Sequence, residues 1–377
     1  MQKGGRRRMI DWHKECSPSH PSSSAKGPFM SVVHGIAAKD PARLRPRVMI
    51  YGVGYYGMEA VRILVKDGWP IVAAVNRAGP KIGEDLGRLA GLNEDLGVVV
   101  QDCETADYAT LDADIALVVQ TERLSLNFAA YQRLLGAGIN VICHGSESYF
   151  PQGADPDLAE KIDALAKRNA VTFTGTGIWD FSRIWAGMLI AGPCTELRSL
   201  THRSLTNAEL ANERMMRAYG VDMTQVEFLE KVTKVPGQLG ELYKGIPAHV
   251  MHALGFTIKN VTELREPVLS DQPMWCRILN RFLEPGTSLG LRIIASVETV
   301  EGPTASAHIE LRLLAEGESE NMTWAVDGRP PSKIRIDRAD GVHTSASCMV
   351  NRIPDVIAAP PGIRLISQFG PLRPSLT

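Results

Sequence analysis

The sequence predicts a doubly wound parallel α/β domain followed by a second, α+β domain, and three observations predict it. First, the stretch Arg47 to Gly57, RVMIYGVGYYG, runs a short apolar segment straight into Gly52-x-Gly54-x-x-Gly57. Second, short apolar runs alternate with helix-like stretches behind it as far as residue 176, the pattern of strands buried on both faces. Third, beyond Gly177 the alternation gives way to helices and then to longer β-rich runs punctuated by Pro and Gly. That change of rhythm marks a second domain with a largely antiparallel sheet.

The glycine stretch organises the rest. Val48 to Tyr51 is the first strand and Glu59 to Lys66 the first helix, with Ala60, Ile63 and Leu64 on one side. Strand, glycine turn and helix together are the setting in which this motif holds a dinucleotide. Gly52 makes the tight turn, Gly54 admits a pyrophosphate, and Gly57 lets the helix sit close to the strand. Tyr55 and Tyr56 fill the two positions between, at the helix N-terminus, where free N–H groups face phosphate. Further strands fit Ile71–Val75, Val98–Val100, Ile115–Val119, Val141–Cys143 and Val171–Phe173, with helices at Asn127–Leu135 and Pro156–Arg168. This is a Rossmann arrangement. In the second domain, helices fit Glu209–Tyr219, Val226–Val232 and Ala248–Ile258. Strands fit Cys276–Leu283, Leu289–Val300, Ala305–Leu314 and Met322–Val326, with turns at Pro285-Gly286, Glu301-Gly302-Pro303 and Asp327-Gly328. A last helix, Thr344–Arg352, ends before Pro354. The domain expectation is a disordered tail over 1–45, a nucleotide domain over 46–176, a substrate and dimerisation domain over 177–342, and a segment over 343–377.

Composition narrows the class. Lys+Arg is 41 against Asp+Glu 42 in 377 residues, so there is no overall pull toward nucleic acid or anionic lipid. No apolar run approaches the roughly 20 residues that span a bilayer. Arg6-Arg7-Arg8 is followed by no apolar h-region, which argues against a signal peptide. Six scattered cysteines without a C-x-x-C pair suggest neither zinc nor a disulfide framework. A reducing cytoplasm is the expected compartment, and no metal is expected; His249 and His252, at i and i+3, have no neighbouring carboxylate or Cys motif.

Candidate site residues sit where strands end. After the second strand come Asn76 and Arg77 instead of the Asp or Glu that binds a ribose 2′-hydroxyl. A guanidinium pairs with a 2′-phosphate, so NADP is the expected cofactor; a surface Arg77 with NAD is the alternative. Thr121 closes the fourth strand, where it lines the nicotinamide ribose or simply ends a strand. His144-Gly145-Ser146-Glu147 follows the fifth. Glu147 is the candidate to hold ammonia or an iminium and move protons, with His144 as an alternative acid or a substrate contact. Gly175-Thr176-Gly177 marks the domain junction, with backbone approach to cofactor. Trp179 and Trp185 wall a substrate pocket or form interdomain core. His202 and Arg203, ending a β-like run, are further substrate candidates.

Five features in order carry a family resemblance: the glycine motif; Lys81-Ile82-Gly83-Glu84-Asp85-Leu86-Gly87 with Ala90-Gly91-Leu92; Glu147 shortly before Pro151; Gly175-Thr176-Gly177; and Ser345-Ala346 with Val350-Asn351-Arg352-Ile353-Pro354 and Ala359-Pro360-Pro361-Gly362. From Arg47 to Leu372 the chain resembles the 2,4-diaminopentanoate dehydrogenase family, with native amine dehydrogenases and, more distantly, dihydrodipicolinate reductase as relatives. The resemblance implies NAD(P)-dependent oxidative deamination of an amine, or its reverse with a ketone or aldehyde and ammonia. It also implies a homodimer, a C-terminal helix returning to the first domain, and Glu147 as the residue handling ammonia. Two departures fall near the substrate. Ser146-Glu147 stands where many members carry two acidic residues, and Ile178-Trp179-Asp180-Phe181 where many carry Asn-Pro-Gly-Phe. Reduction of a cyclic imine or conjugated double bond, and an NADP-binding sensor without turnover, are the alternative readings.

Overall fold

A computed structural model describes residues 45–210, 213–235 and 239–374. The tail expected over 1–45 lies outside the described residues except for its last position. Among the described residues the strands run β1 (Val48–Tyr51), β2 (Ile71–Asn76), β3 (Val100–Asp102), β4 (Ile115–Val118), β5 (Asn140–Cys143), β6 (Thr172–Gly175), β7 (Glu196–Asn207), β8 (Ile258–Leu269), β9 (Met274–Cys276), β10 (Arg281–Leu283), β11 (Ser288–Thr299), β12 (Thr304–Arg312), β13 (Asn321–Arg329), β14 (Ser332–Asp337) and β15 (Gly362–Ile363).

The first sheet has the order β15-β6-β5-β4-β1-β2-β3, and its pairings are parallel. The strand order reverses between β1 and β4, which opens a crevice at their carboxyl ends. Val48, Met49 and Ile50 of β1 and the whole of β4 are fully buried, so both strands read as unbroken apolar runs. Helix Tyr55–Lys66 packs its Val61 and Leu64 with Ala346, Met349, Val350 and Ile353 of helix Gly341–Ala358. The helix Gly341–Ala358 therefore returns to the first sheet, beside the first helix and over β4, β5 and β6. Each of those buried aliphatic side chains contributes about 1.5–3 kcal/mol of transfer free energy.

The second sheet has the order β14-β13-β7-β12-β11-β8. Its pairings are antiparallel except β7 with β12. One face packs on the helices at the junction; Trp324 and Ile293 there are fully buried.

Several elements differ from expectation. Asp327-Gly328 is not a turn: β13 continues through it with a register shift. A Cβ on Gly328 would come 2.5 Å from Cys194 Sγ, so packing, not turning, requires the glycine. Cys276–Leu283 is a two-stranded ribbon, β9 with β10, not one strand. The helix at 248 runs Gly245–Ala253, and Ile258 opens the long strand β8. The last helix continues through Pro354 to Ala358. The proline removes one N–H, but Arg352 and the apolar face on either side hold the helix together. Alternation too weak to register in an edge strand hid β14.

Candidate functional site

The glycine turn has the shape a dinucleotide needs. Gly52 has φ +105°, and a Cβ there would lie 2.7 Å from Val119 O. A Cβ on Gly57 would lie 2.2 Å from Gly52 O, whereas one on Gly54 would meet nothing within 4 Å. So the first and third glycines are demanded by packing, and the second faces open space where a phosphate fits. Asn76 Oδ1 accepts from Val53 N at 3.3 Å, and Lys81 Nζ donates to Val53 O at 2.6 Å. Asn76 thus stiffens the turn, and Lys81 places a cation beside it. Arg77 is exposed next door. The residues present fit an NAD(P) dinucleotide.

Beside the turn, six side chains converge. His144 Nε2 lies 2.9 Å from Ser345 Oγ, and that hydroxyl also accepts from Ile178 N at 3.1 Å. The His144 ring stacks on Tyr56 at 4.3 Å between centroids. Burial holds His144 below its usual pKa, so the ring is neutral at pH 7. Gly177 is the pivot: a Cβ would lie 2.5 Å from Tyr149 Oη and 2.9 Å from Ser345 Oγ. Trp179 then stacks between Tyr149, at 5.1 Å, and Tyr243, at 5.4 Å.

Two carboxylates reach this region from adjoining loops. Glu122 accepts from Ser146 N at 2.8 Å and from Ser146 Oγ at 2.5 Å. Burial first, and then the Glu122 charge, raise the Tyr56 phenol above its ordinary pKa. The same charge acts on Tyr149, Tyr219, Tyr243 and His144. Glu122 is therefore within electrostatic reach of these tyrosines and of His144. Glu147 is engaged on both oxygens, by Arg123 Nη1 at 2.8 Å and by Leu124 N at 2.8 Å. It lines a neighbouring pocket of about 110 Å³ with Arg123, Phe150, Glu241 and Lys244.

Other expected contacts have different employment. Thr121 Oγ1 is 3.0 Å from Asn127 Oδ1, so its hydroxyl secures the next helix. Gly175 admits the backbone of Ser148, which a Cβ would meet at 2.2 Å. Thr176 is fully buried and donates to Asp180 Oδ2 at 2.8 Å. Its role is to orient a carboxylate held bidentately by Arg352, at 2.7 and 2.8 Å. Trp185 donates to Ile366 O at 3.2 Å and ties the C-terminal segment down instead of walling the cleft. His202 and Arg203 lie mid-strand in β7, so period two sends them to opposite faces. His202 is buried inside against Trp324, at 4.8 Å. Arg203 is exposed on the outer face. His249 stacks on Phe150 at 5.4 Å and lies 2.9 Å from Ser367 Oγ. Among the described residues no group of three or more His, Cys, Asp or Glu could hold a metal, and no helix is long and apolar enough to cross a membrane.

The sequence reading missed Glu122, Tyr149, Tyr243, Ser345, Lys81 and Arg183. Glu122 had a signal, standing next to Thr121 at the carboxyl end of β4. Lys81 and Ser345 stood in the motifs that carry the family resemblance without a contact assigned to them, and Tyr149, Arg183 and Tyr243 sit on short helical turns where no spacing announces them.

A parallel sheet with this strand order, a glycine turn at its switch point and a second, mixed sheet define a Rossmann-type dehydrogenase fold. The family model for the 2,4-diaminopentanoate dehydrogenase C-terminal domain matches residues 187–373. Over that C-terminal part the chain resembles the 2,4-diaminopentanoate dehydrogenase family. It is 28 % identical over 237 residues to 2,4-diaminopentanoate dehydrogenase of Acetoanaerobium sticklandii, a match covering 60 % of this chain and 65 % of that protein. An amine dehydrogenase structure from Mycobacterium smegmatis superposes with a TM-score of 0.75 at 29 % identity, over 87 % of this chain and 97 % of that one. A probable dehydrogenase from Thermotoga maritima shares the fold at 13 % identity and a TM-score of 0.50, over 78 % of this chain and 76 % of that one.

Proposed function

We propose that this protein is an NAD(P)-dependent amine dehydrogenase, interconverting an amine with a ketone or aldehyde plus ammonia. The observation that carries the reading is Glu122, a carboxylate bonded to Ser146 whose charge reaches Tyr56 and His144 beside the dinucleotide turn. When bound, the reduced dinucleotide supplies a hydride to the imine carbon, so that carbonyl, ammonium and NAD(P)H become amine, water and NAD(P)+. Glu122 accepts N–H bonds from ammonium and takes one of its protons, freeing the lone pair that attacks the carbonyl. It returns that proton to the hydroxyl that leaves as water. His144, neutral and fixed by Ser345 and Tyr56, keeps the floor of the site rigid. Trp179, Tyr149 and Tyr243 exclude water, which protects the imine from hydrolysis. Arg77 and Lys81 favour the 2′-phosphate of NADP.

Glu147 is the second candidate for the ammonium site, because it opens on a pocket of its own. We place the protein in the cytoplasm as a homodimer, in keeping with its unpaired thiols. The dimer surface is the outer face of the second sheet, where Leu264 is 49 % exposed.

The test is NADPH and NADH oxidation with a panel of ketones and aldehydes, with and without ammonium. Ammonium-dependent turnover is expected, and Glu122→Gln should lower kcat by about 10²- to 10⁴-fold while NADPH binding persists. Arg77→Glu should shift preference toward NADH. A Glu122→Gln variant at full rate beside an inactive Glu147→Gln would transfer the role to Glu147. Turnover independent of ammonium would refute the amine reading in favour of direct carbonyl, imine or alkene reduction.

A further inference from the structure

His144 follows the carboxyl end of β5, the neighbour of β4, on the edge where ligands lie in such sheets. Its ring is held on one edge and one face. Nε2 lies 2.9 Å from Ser345 Oγ. Cδ2, the carbon beside Nε2, lies 3.0 Å from where a Cβ on Gly177 would stand. The Tyr56 ring lies against it at 4.3 Å between centroids. The Nε2 edge is therefore turned to the protein. Nδ1 has no partner among the described residues and, unlike His202 Nε2 and His249 Nδ1, is not an enclosed orphan. It opens toward solvent beside the glycine turn.

Burial keeps the ring neutral at pH 7, so one nitrogen carries a hydrogen and the other a lone pair. The surrounding hydrogen bonds decide which. The Ile178 amide points at Ser345 Oγ from 3.1 Å. A backbone N–H only donates, so the serine oxygen is already an acceptor there. Its own hydrogen needs an acceptor, because Ser345 is 1 % exposed and a buried hydroxyl without one is costly. The preceding residue, Thr344, bonds back to Asp340 O; Ser345 makes no such bond. Among the described residues its acceptor is His144 Nε2. Nε2 is thus the bare nitrogen, and the hydrogen sits on Nδ1. The titratable groups around the ring are Tyr56 of the first helix, Tyr149 of the turn after β5 and Glu122 of the loop after β4.

We infer that His144 Nδ1–H is the hydrogen-bond donor that receives the substrate's carbonyl oxygen, and that Ser345 is the positioning residue that fixes its tautomer. The inference rests on the amine dehydrogenase reading for its partnership with Glu122, but not for the donor itself. Adding ammonia to a carbonyl takes two opposite groups, an acceptor for ammonium N–H and a donor for the oxygen. Glu122 is the acceptor, and its charge reaches His144. As the nitrogen–carbon bond forms, one electron pair of the C=O bond moves onto oxygen. The bond from Nδ1–H strengthens with that charge and needs no reorganisation, since Ser345 and Tyr56 already hold the ring. The added nitrogen then gives the oxygen a proton, and Nδ1 keeps its own throughout.

The experiment uses full-length protein, with hexanal and 2-butanone as carbonyl probes and NADPH as reductant. His144→Phe keeps a ring against Tyr56 and removes the donor. His144→Asn puts an amide N–H near the place of Nδ1, and His144→Gln puts one near the place of Nε2. His144→Phe should lower kcat by about 10²- to 10³-fold, the cost of one lost donor to a developing oxyanion. Its KM, NADPH binding and melting temperature should stay near wild type. His144→Asn should recover part of the rate, and His144→Gln none. A readout free of turnover is NMR of protein labelled with ¹⁵N-histidine, the His144 signals being those lost in the variants. The wild type should carry its hydrogen on Nδ1, Ser345→Ala should give mixed tautomers, and 2-butanone added with NADP+ should shift the Nδ1–H resonance. A wild-type hydrogen on Nε2 would overturn the inference, as would a resonance that no carbonyl moves. So would a His144→Phe enzyme at full kcat, or one that loses NADPH binding or melts markedly lower, which would make the ring structural. Ketone reduction independent of ammonium, yet lost in His144→Phe, would uphold the donor and refute the amine reading. Ammonium-dependent turnover undiminished in His144→Phe would do the reverse.

Discussion

Arg352→Met isolates the interaction that fixes the cleft wall. Arg352 and Asp180 are both fully buried. The guanidinium donates to both Asp180 oxygens at 2.7 and 2.8 Å, to Asp355 Oδ2 at 2.8 Å and to Gly370 O at 2.7 Å. Methionine matches the apolar bulk of the side chain but leaves Asp180 charged, dry and held only by Thr176. Removing one member of such a pair costs about 3–5 kcal/mol, or two to three and a half orders of magnitude in the unfolding equilibrium. Urea unfolding, followed by intrinsic fluorescence and near-UV circular dichroism together, measures the loss and checks for a single transition. Asp180→Asn in the Arg352→Met background should recover about 2 kcal/mol or more, since the stranded charge is removed while the bond to Thr176 survives. A loss below about 1 kcal/mol, or a double variant no better than the single, would refute this account of the junction.

Other outcomes follow from the same geometry. Buried neutral histidines make the protein acid-sensitive: burial pulls His249 down to about 3 and His202 well below its usual value. In the unfolded chain each titrates near pH 6.5, so between there and the folded pKa the unfolded state binds more protons and stability falls as pH falls. The slope is about 1.4 kcal/mol per pH unit for each histidine. Urea midpoints at pH 7, 6 and 5 should drop accordingly, and His249→Phe should remove one histidine's share; a flat profile would contradict the assignment. Gly177→Ala should fold but lose about 10²-fold in kcat, because its Cβ would push on Tyr149 Oη at 2.5 Å and Ser345 Oγ at 2.9 Å. Steady-state kinetics with intact NADPH binding checks it, and wild-type turnover would remove Gly177 from the site's geometry.

The nucleotide half of the protein was written in the sequence, because a parallel sheet leaves two local signatures. Strands buried on both faces are unbroken apolar runs, and the phosphate turn needs glycines at fixed spacing, where a Cβ would strike Val119 O or Gly52 O. Local chemistry of this kind also placed Asn76, Arg77, His144 and Glu147 at strand ends. The second half was less legible. β7, β8 and β14 have one face half-open, and their mixed residues blur the alternation; an interior proline did not end the last helix, because tertiary contacts outweighed propensity. What only the tertiary structure decided is which side chains meet. Pleating turned His202 inward and Arg203 outward, although they are neighbours in sequence. Thr121 and Thr176 found partners inside the protein, Asn127 and Asp180. Tyr149, Tyr243, Ser345 and Arg183 come to one cleft from points up to 196 residues apart (Tyr149 to Ser345), a separation at which no periodicity survives. Arg183 is the clearest case. In sequence it is an ordinary arginine in a helical stretch, and only folding buries it over the rings of Trp179 and Tyr243.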